Sequence, residues 1–254
     1  MKSSLVVPAR LASSRFPKKI LKELGGIPLL RRVLERVAKV PNVAEVVALV
    51  DEESVLERVN SWGFDAILTS RDCNSGTERI LSVKDKLLGD FIINVQGDEP
   101  FISLKLLEKM VNAAARDEVS LSEALLTAIY PIKSAESLWD PNRVKVVMDR
   151  NDRAIYFSRH PIPFLRNISR KEEWPNFHQF WGHIGIYGYR KETLQLYSTL
   201  ADRFLENAES LEQLRFIENG IPVHLIRDEE PVISIDTAED LLRAETFLQT
   251  HPDF

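Results

Sequence analysis

Through its first half this 254-residue chain alternates short apolar runs with helical patterns. Residues 5–8, 45–50, 66–69 and 91–95 read as strands. Residues 28–39, 53–61, 76–88 and 103–115 read as helices. In the first helix Leu29, Leu30, Val33, Leu34 and Val37 return at helical spacing. A βαβαβαβ order implies a mostly parallel sheet, because each crossover helix carries the chain back to the end at which the previous strand began; helices then cover both faces. Ligands of open sheets of this type bind at the carboxyl ends of the strands. Arg10, Asp51, Ser70 and Asp98 fall there.

The second half changes character. Residues 144–148 and 154–158 flank a polar turn and predict a β-hairpin. Residues 183–189, 223–226 and 232–235 read as further strands, and 191–200 and 209–218 as helices. Residues 237–249 close the chain as a helix, with Asp236 or Thr237 as N-cap. The hairpin, followed by Pro161, Pro163, Trp174 and Pro175, predicts an insertion over the sheet. There is no internal repeat and no low-complexity tract.

Composition excludes several classes. The chain is 44% hydrophobic and 28% charged, which is ordinary for a globular protein. A net charge of -5 argues against general nucleic-acid binding. The single cysteine, Cys73, allows no internal disulfide. No window approaches the ~18 apolar residues of a membrane span, and the first residues lack a signal-peptide core. A cytoplasmic protein with no membrane partner is expected.

The chemistry-bearing residues cluster in loops. Val6-Val7-Pro8-Ala9-Arg10 runs into a loop that carries Arg15, Lys18 and Lys19. Cations and backbone amides together cradle phosphates, although a solvated surface loop explains the same residues. The loop has no glycine, so neither a Walker nor a dinucleotide fingerprint is present. Asp98 follows the apolar run ending at Val95, and Asp236 follows 232–235. Magnesium takes one or two protein carboxylates with phosphate oxygens and water, so the pair suits that ion. Asp236 reads also as a helix cap, and Asp98 as a turn residue before Pro100. Ser75 with Glu78 has the spacing of a capping box; alternatively Gly76 admits a base or ribose closely. His183 reads as a satisfied strand histidine, Glu212 and Gln213 as a solvated helix face, and Arg159 as a surface cation or a carboxylate clamp.

Taken in order, these motifs resemble the 3-deoxy-manno-octulosonate cytidylyltransferase family. The matching stretches are Pro8-Ala9-Arg10, Ser14-Arg15-Phe16-Pro17 with Lys19, and Ser75-Gly76-Thr77-Glu78-Arg79. Residues 94–100, 144–147, 156–159, 183–190 and 211–215 follow, and then Asp236-Thr237 with Glu239-Asp240. The resemblance implies an α/β, Rossmann-like nucleotidyltransferase of the glycosyltransferase-A-like kind: a three-layer sandwich with a mostly parallel sheet and a small β-rich dimerisation subdomain. It implies a single domain over 1–254, with a dimerisation and sugar-binding insertion at about 144–205. It implies the reaction of CTP with 3-deoxy-manno-octulosonate (Kdo), giving CMP-Kdo and pyrophosphate with Mg²⁺, for lipopolysaccharide biosynthesis, in a homodimer. By position, Arg10, Lys19, Asp98 and Asp236 carry catalysis. Arg10, Arg15, Lys19, Ser75 and Gly76 bind nucleotide, and Asp98 and Asp236 bind the metal. Gln96, Arg159, His183, Tyr187, Glu212 and Gln213 line the sugar-acid pocket. Activation of a related acid, 8-amino-Kdo or a sialic acid, and a non-catalytic nucleotide-binding paralogue are the alternatives.

The chain departs from the pattern at three places. Lys18 stands where a glycine usually precedes the lysine. If that glycine supplies an unusual backbone angle, the loop is shaped differently here. Which of Lys18 and Lys19 faces the phosphates stays open, spacing from Arg15 favouring Lys19. Arg31-Arg32 and Ser234-Ile235 are the other departures.

Overall fold

The computed structural model describes residues 1–12, 16–73, 75–116, 124–200 and 203–251. The chain forms two compact units, Met1–Val119 with Val232–Phe254, and Ser120–Pro231.

The first unit follows the expected βα order. Strand β1 is Ser3–Ala9, and a two-stranded antiparallel ribbon follows, β2 (Glu23–Leu24) with β3 (Ile27–Pro28). Then come α1 (Leu29–Val37), β4 (Val43–Val50), α2 (Glu53–Ser61), β5 (Asp65–Leu68), α3 (Gly76–Leu81), β6 (Phe91–Asn94) and α4 (Leu104–Arg116). Strands β6, β1, β4 and β5 lie side by side in that order, all parallel. Leu5, Val6, Val7, Phe91, Ile92 and Ile93 have no exposed surface, as expected for a parallel sheet covered on both faces. Helix α1 buries the five apolar residues whose spacing predicts it. The expected helix over 76–88 is shorter, ending at Leu81 before a single 3₁₀ turn at Lys84–Lys86.

The second unit contains β7 (Leu125–Ile132), α5 (Ala135–Trp139), β8 (Lys145–Met148), β9 (Ala154–Ser158), α6 (Trp174–Phe177), β10 (Phe180–Arg190), α7 (Lys191–Tyr197), α8 (Phe204–Glu209), α9 (Leu214–Glu218) and β11 (Val223–Arg227). The predicted hairpin is β8 with β9, antiparallel. Strand β7 runs parallel to β11 and antiparallel to β10. Gly182 of β10 lies under the Tyr130 ring, where an added Cβ would stand 2.4 Å from a ring carbon.

Two expectations fail here. The helix expected over 209–218 forms only as α9, Leu214–Glu218, because Ser210 adopts a left-handed conformation that ends α8 at Glu209. Residues 232–235 form no strand. Ile235 is fully buried and Ile233 partly so, and both pack in a cluster with Leu24, Leu29 and Phe101. Their apolar character serves this core and not a ladder.

The chain closes in the first unit with α10 (Ala238–Thr250). Ala244, Phe247 and Leu248 join that cluster, and the Phe247 ring meets Phe101 edge-on at 4.8 Å. Among the described residues no helix is long and apolar enough to cross a membrane.

The loop after β1 keeps the left-handed turn that glycine would favour. Lys18 sits at φ 55°, ψ 32°, just before a 3₁₀ turn at Lys19–Leu21. The expectation of a differently shaped loop is not met at this residue: the chain accepts the strain instead. A side chain in this region costs about 1–2 kcal/mol, and glycine's extra freedom in the unfolded chain offsets part of any relief. Lys18→Gly should therefore raise the unfolding free energy by about 0.5–1 kcal/mol in a denaturant titration. A fall in stability would contradict the strain assignment.

Candidate active site

A cleft of about 270 Å³ opens at the carboxyl ends of β1 and β6. Seven sequence-predicted residues line it: Arg10, Lys19, Ser75, Gly76, Gln96, Asp98 and Asp236. Arg15 lies outside the described residues.

Lys19 is the centre of the cleft. Its Nζ donates to Asp236 Oδ1 at 2.9 Å and to Asp98 Oδ2 at short range. The question of which lysine faces inward is thereby answered: Lys18 is exposed, and Lys19 is largely covered. Burial alone would lower the Lys19 pKa. The Asp98 carboxylate, and after it Asp236, outweigh burial and raise it.

Backbone geometry brings the two aspartates together. The Ile235 amide donates to the Asp98 carbonyl at 3.0 Å, while the Ile235 side chain is fully buried. The next residue is therefore fixed beside Asp98. The N-cap of α10 is Thr237, which forms a capping box with Asp240, and the Asp240 carboxylate also accepts from the Asp236 amide at 3.1 Å. The capping role falls to Thr237, so the Asp236 carboxylate points to Lys19. Gly97 is required on the other side, since a Cβ there would lie 2.9 Å from the Pro8 carbonyl oxygen.

Two carboxylates within reach of one ammonium present converging hard oxygens, the donor chemistry that magnesium takes together with phosphate oxygens and water. Among the described residues no group of three or more His, Cys, Asp or Glu could hold a metal ion. An ion at this pair would draw its remaining oxygens from substrate or water.

Several residues take parts that the sequence does not assign them. Asp51, at the end of β4, accepts from the Leu11 amide at 2.9 Å and so pins the loop just after Arg10. Asp51 Oδ2 also faces the buried Arg79 guanidinium at 3.7 Å. Arg79 lines the cleft and donates to the Ser70 carbonyl at 3.1 Å and to the Thr69 hydroxyl. One cation thus ties the ends of β4 and β5 to α3. Its signal was the motif from Ser75 to Arg79. Ser75 does cap α3, its Oγ accepting from the Glu78 amide at 3.1 Å. Glu99 is buried, with one carboxyl oxygen that has no hydrogen-bond partner among the described residues. Burial first, and then the charges of Asp98 and Asp236, push its pKa up to about 8.

In the second unit His183, Tyr187 and Gln213 gather. Tyr187 donates to Gln213 Oε1 at 3.1 Å, and Gln213 Nε2 lies 3.5 Å from His183 Nδ1. Burial holds the His183 pKa down to about 3, so the ring is neutral at physiological pH. Glu212 and Gln213 precede α9 instead of lying on it, and Gln213 is buried, not solvated. Arg159 donates to the carbonyls of Pro141, Glu209 and Ser210, while its own amide donates to the Glu209 carboxylate. The fully buried Lys145 donates to the carbonyls of Asp140 and Arg159, and burial lowers its pKa to about 8.

A cytidylyltransferase family model matches residues 5–230. The 3-deoxy-manno-octulosonate cytidylyltransferase of Phocaeicola vulgatus is 41% identical over 251 residues, 98% of each chain. That of Porphyromonas gingivalis is 37% identical over 248 residues, 96% of each chain. Among solved structures, a CMP:2-keto-3-deoxy-manno-octonic acid synthetase complexed with CTP has a TM-score of 0.90 at 36% identity, covering 99% of this chain and 100% of that one. A cytidylyltransferase from Leptospira borgpetersenii, at 18% identity and a TM-score of 0.61, shares the fold; the match covers 100% of this chain and 96% of that one.

The raised Glu99 pKa has a measurable consequence. A carboxyl whose pKa rises from 4.5 to about 8 on folding takes up a proton, so stability falls as pH climbs through that window. In metal-free protein, Glu99→Gln should flatten the fall in unfolding free energy between about pH 4.5 and 8. Identical pH slopes for the two proteins would contradict a neutral Glu99.

Proposed function

The chain belongs to the 3-deoxy-manno-octulosonate cytidylyltransferase family, and on that premise we propose that it transfers the cytidylyl group of CTP to Kdo for lipopolysaccharide biosynthesis. The anomeric hydroxyl oxygen of Kdo forms a bond to the α-phosphorus, the bond to pyrophosphate breaks and pyrophosphate leaves, and the hydroxyl proton passes to solvent. The observation that supports this reading most is the convergence of Asp98 and Asp236, 138 residues apart in sequence, on Lys19 within one cleft.

Both substrates are anions, so the physical problem is to bring them together. Arg10 and Lys19, with Arg15, hold the triphosphate and meet the charge that grows on pyrophosphate. Asp98 and Asp236 hold Mg²⁺, which when bound neutralises the α-phosphate and lowers the pKa of the attacking hydroxyl. The Ser75-Gly76 turn lies beside the nucleoside. Gln96, Arg159, His183, Tyr187, Glu212 and Gln213 receive the sugar acid. Positioning does most of the remaining work. Residues 144–205 form an insertion that supports the sugar acid and a homodimer, and the enzyme works in the cytoplasm.

Pyrophosphate release, measured against a panel of nucleotides and sugar acids, tests the reading: CTP with Kdo and Mg²⁺ should be the productive set. Asp98→Ala should keep its circular dichroism spectrum and lose at least ~100-fold in rate. Turnover near that of the parent enzyme would refute the metal role.

A further inference from the structure

Strand β10 breaks its ladder at the residues assigned to the sugar acid. His183 pairs with Ile129 and Ile184 with Ala128, but the next pair is Tyr187 with Thr127. Gly185 and Ile186 therefore bulge out of the register. Four residues of regular strand advance the chain by about 13 Å. Here the His183 and Tyr187 rings lie only 5.7 Å apart, close enough for both to reach Gln213.

The hydroxyl of Thr127 fills the bulge. Its Oγ1 lies 2.7 Å from the Ile186 carbonyl oxygen, 3.3 Å from that of Ile184 and 2.8 Å from His183 Nε2. Thr127 has no exposed surface, so no water competes for these bonds. A threonine hydroxyl has a single proton, and a carbonyl oxygen only accepts. The proton must go to the carbonyl at 2.7 Å, because two bare oxygens at that distance would repel. The hydroxyl oxygen then accepts, and the group facing it at 2.8 Å is His183 Nε2, which must therefore carry the proton. The neutral ring therefore carries its lone pair on Nδ1. The Gln213 amide agrees with this polarity: Oε1 takes the Tyr187 proton, and Nε2 faces the Nδ1 lone pair.

We propose that Thr127 is a positioning residue of the sugar-acid site: its hydroxyl closes the β10 bulge that brings His183 beside Tyr187, and it locks His183 as the Nε2–H tautomer. Nδ1 is thereby an acceptor. It takes a hydrogen bond from a hydroxyl of the polyhydroxy acid and does not act as a cation toward the carboxylate. The Gln213 contact with Nδ1 is long, at 3.5 Å, so a shorter bond from a substrate hydroxyl can take its place. This inference rests on the placement of the sugar acid proposed above.

The test uses the whole protein labelled with ¹⁵N-histidine. Ring nitrogen shifts are assigned to His183 by the signals lost in His183→Gln, and KM is measured separately for Kdo and CTP. The expected result is a neutral Nε2–H ring in the parent protein at pH 7, retained in Thr127→Ser. Thr127→Val should lose that tautomer and raise KM for Kdo about tenfold, the worth of one hydrogen bond, while KM for CTP moves less than about twofold. A ring protonated on Nδ1 in the parent overturns the proposal, even if Thr127→Val fails to fold. So does a folded Thr127→Val with the parent's tautomer and KM. His183→Gln with an unchanged KM for Kdo overturns the sugar placement alone, since the ring shifts judge the Thr127 bond independently.

Discussion

The cleft depends on one ammonium group held between two carboxylates. Asp98 and Asp236 are 138 residues apart in the sequence, and their charges would repel if nothing stood between them. Lys19 neutralises that repulsion. It can do so because the strained turn at Lys18 delivers it, with Ile20 buried behind it as an anchor. The Ile235–Asp98 backbone bond and the α10 capping box fix the other partner. Removing any one of these supports loosens a shared geometry, so the site is cooperative in the same sense as a packed core.

Around this triad the cleft manages its remaining charge by burial. Glu99 would add a third negative charge beside Asp98, and burial keeps it neutral instead. Arg79 does the reverse: its buried guanidinium is met by Asp51 and by oxygen acceptors. Asp51 then fixes Leu11 and with it the start of the loop that follows β1. The second unit uses neutral polar groups for comparable precision, as the Thr127–His183–Gln213–Tyr187 chain shows.

The first unit was legible in the sequence because its signals are local. Residues 53–61 carry a helical period and become α2 with the same bounds. Asp98 and Asp236 were recognisable as candidates because each follows an apolar run. What was not legible depends on partners distant in sequence. Residues 232–235 look like a strand, yet they bury against Leu24, Leu29 and Phe101, which no local pattern reveals. Strand β7 was overlooked, although Leu125-Leu126-Thr127-Ala128-Ile129-Tyr130 is an apolar run that could have exposed it. With β7 went Thr127, whose role exists only opposite the β10 bulge. Ser210 is not a residue that announces a left-handed turn, so the break between α8 and α9 was also hidden.

The claim that Asp98 and Asp236 act as one unit is tested most directly by a double-mutant cycle on the rate of pyrophosphate release. Asp98→Asn, Asp236→Asn and the double variant would be compared with the parent enzyme under saturating CTP, Kdo and Mg²⁺. If the two carboxylates share one cation, the double variant should be little slower than the slower single one, a departure from additivity of more than about 1.4 kcal/mol, or tenfold. Losses that simply multiply would show two independent groups, and the shared site would have to be abandoned.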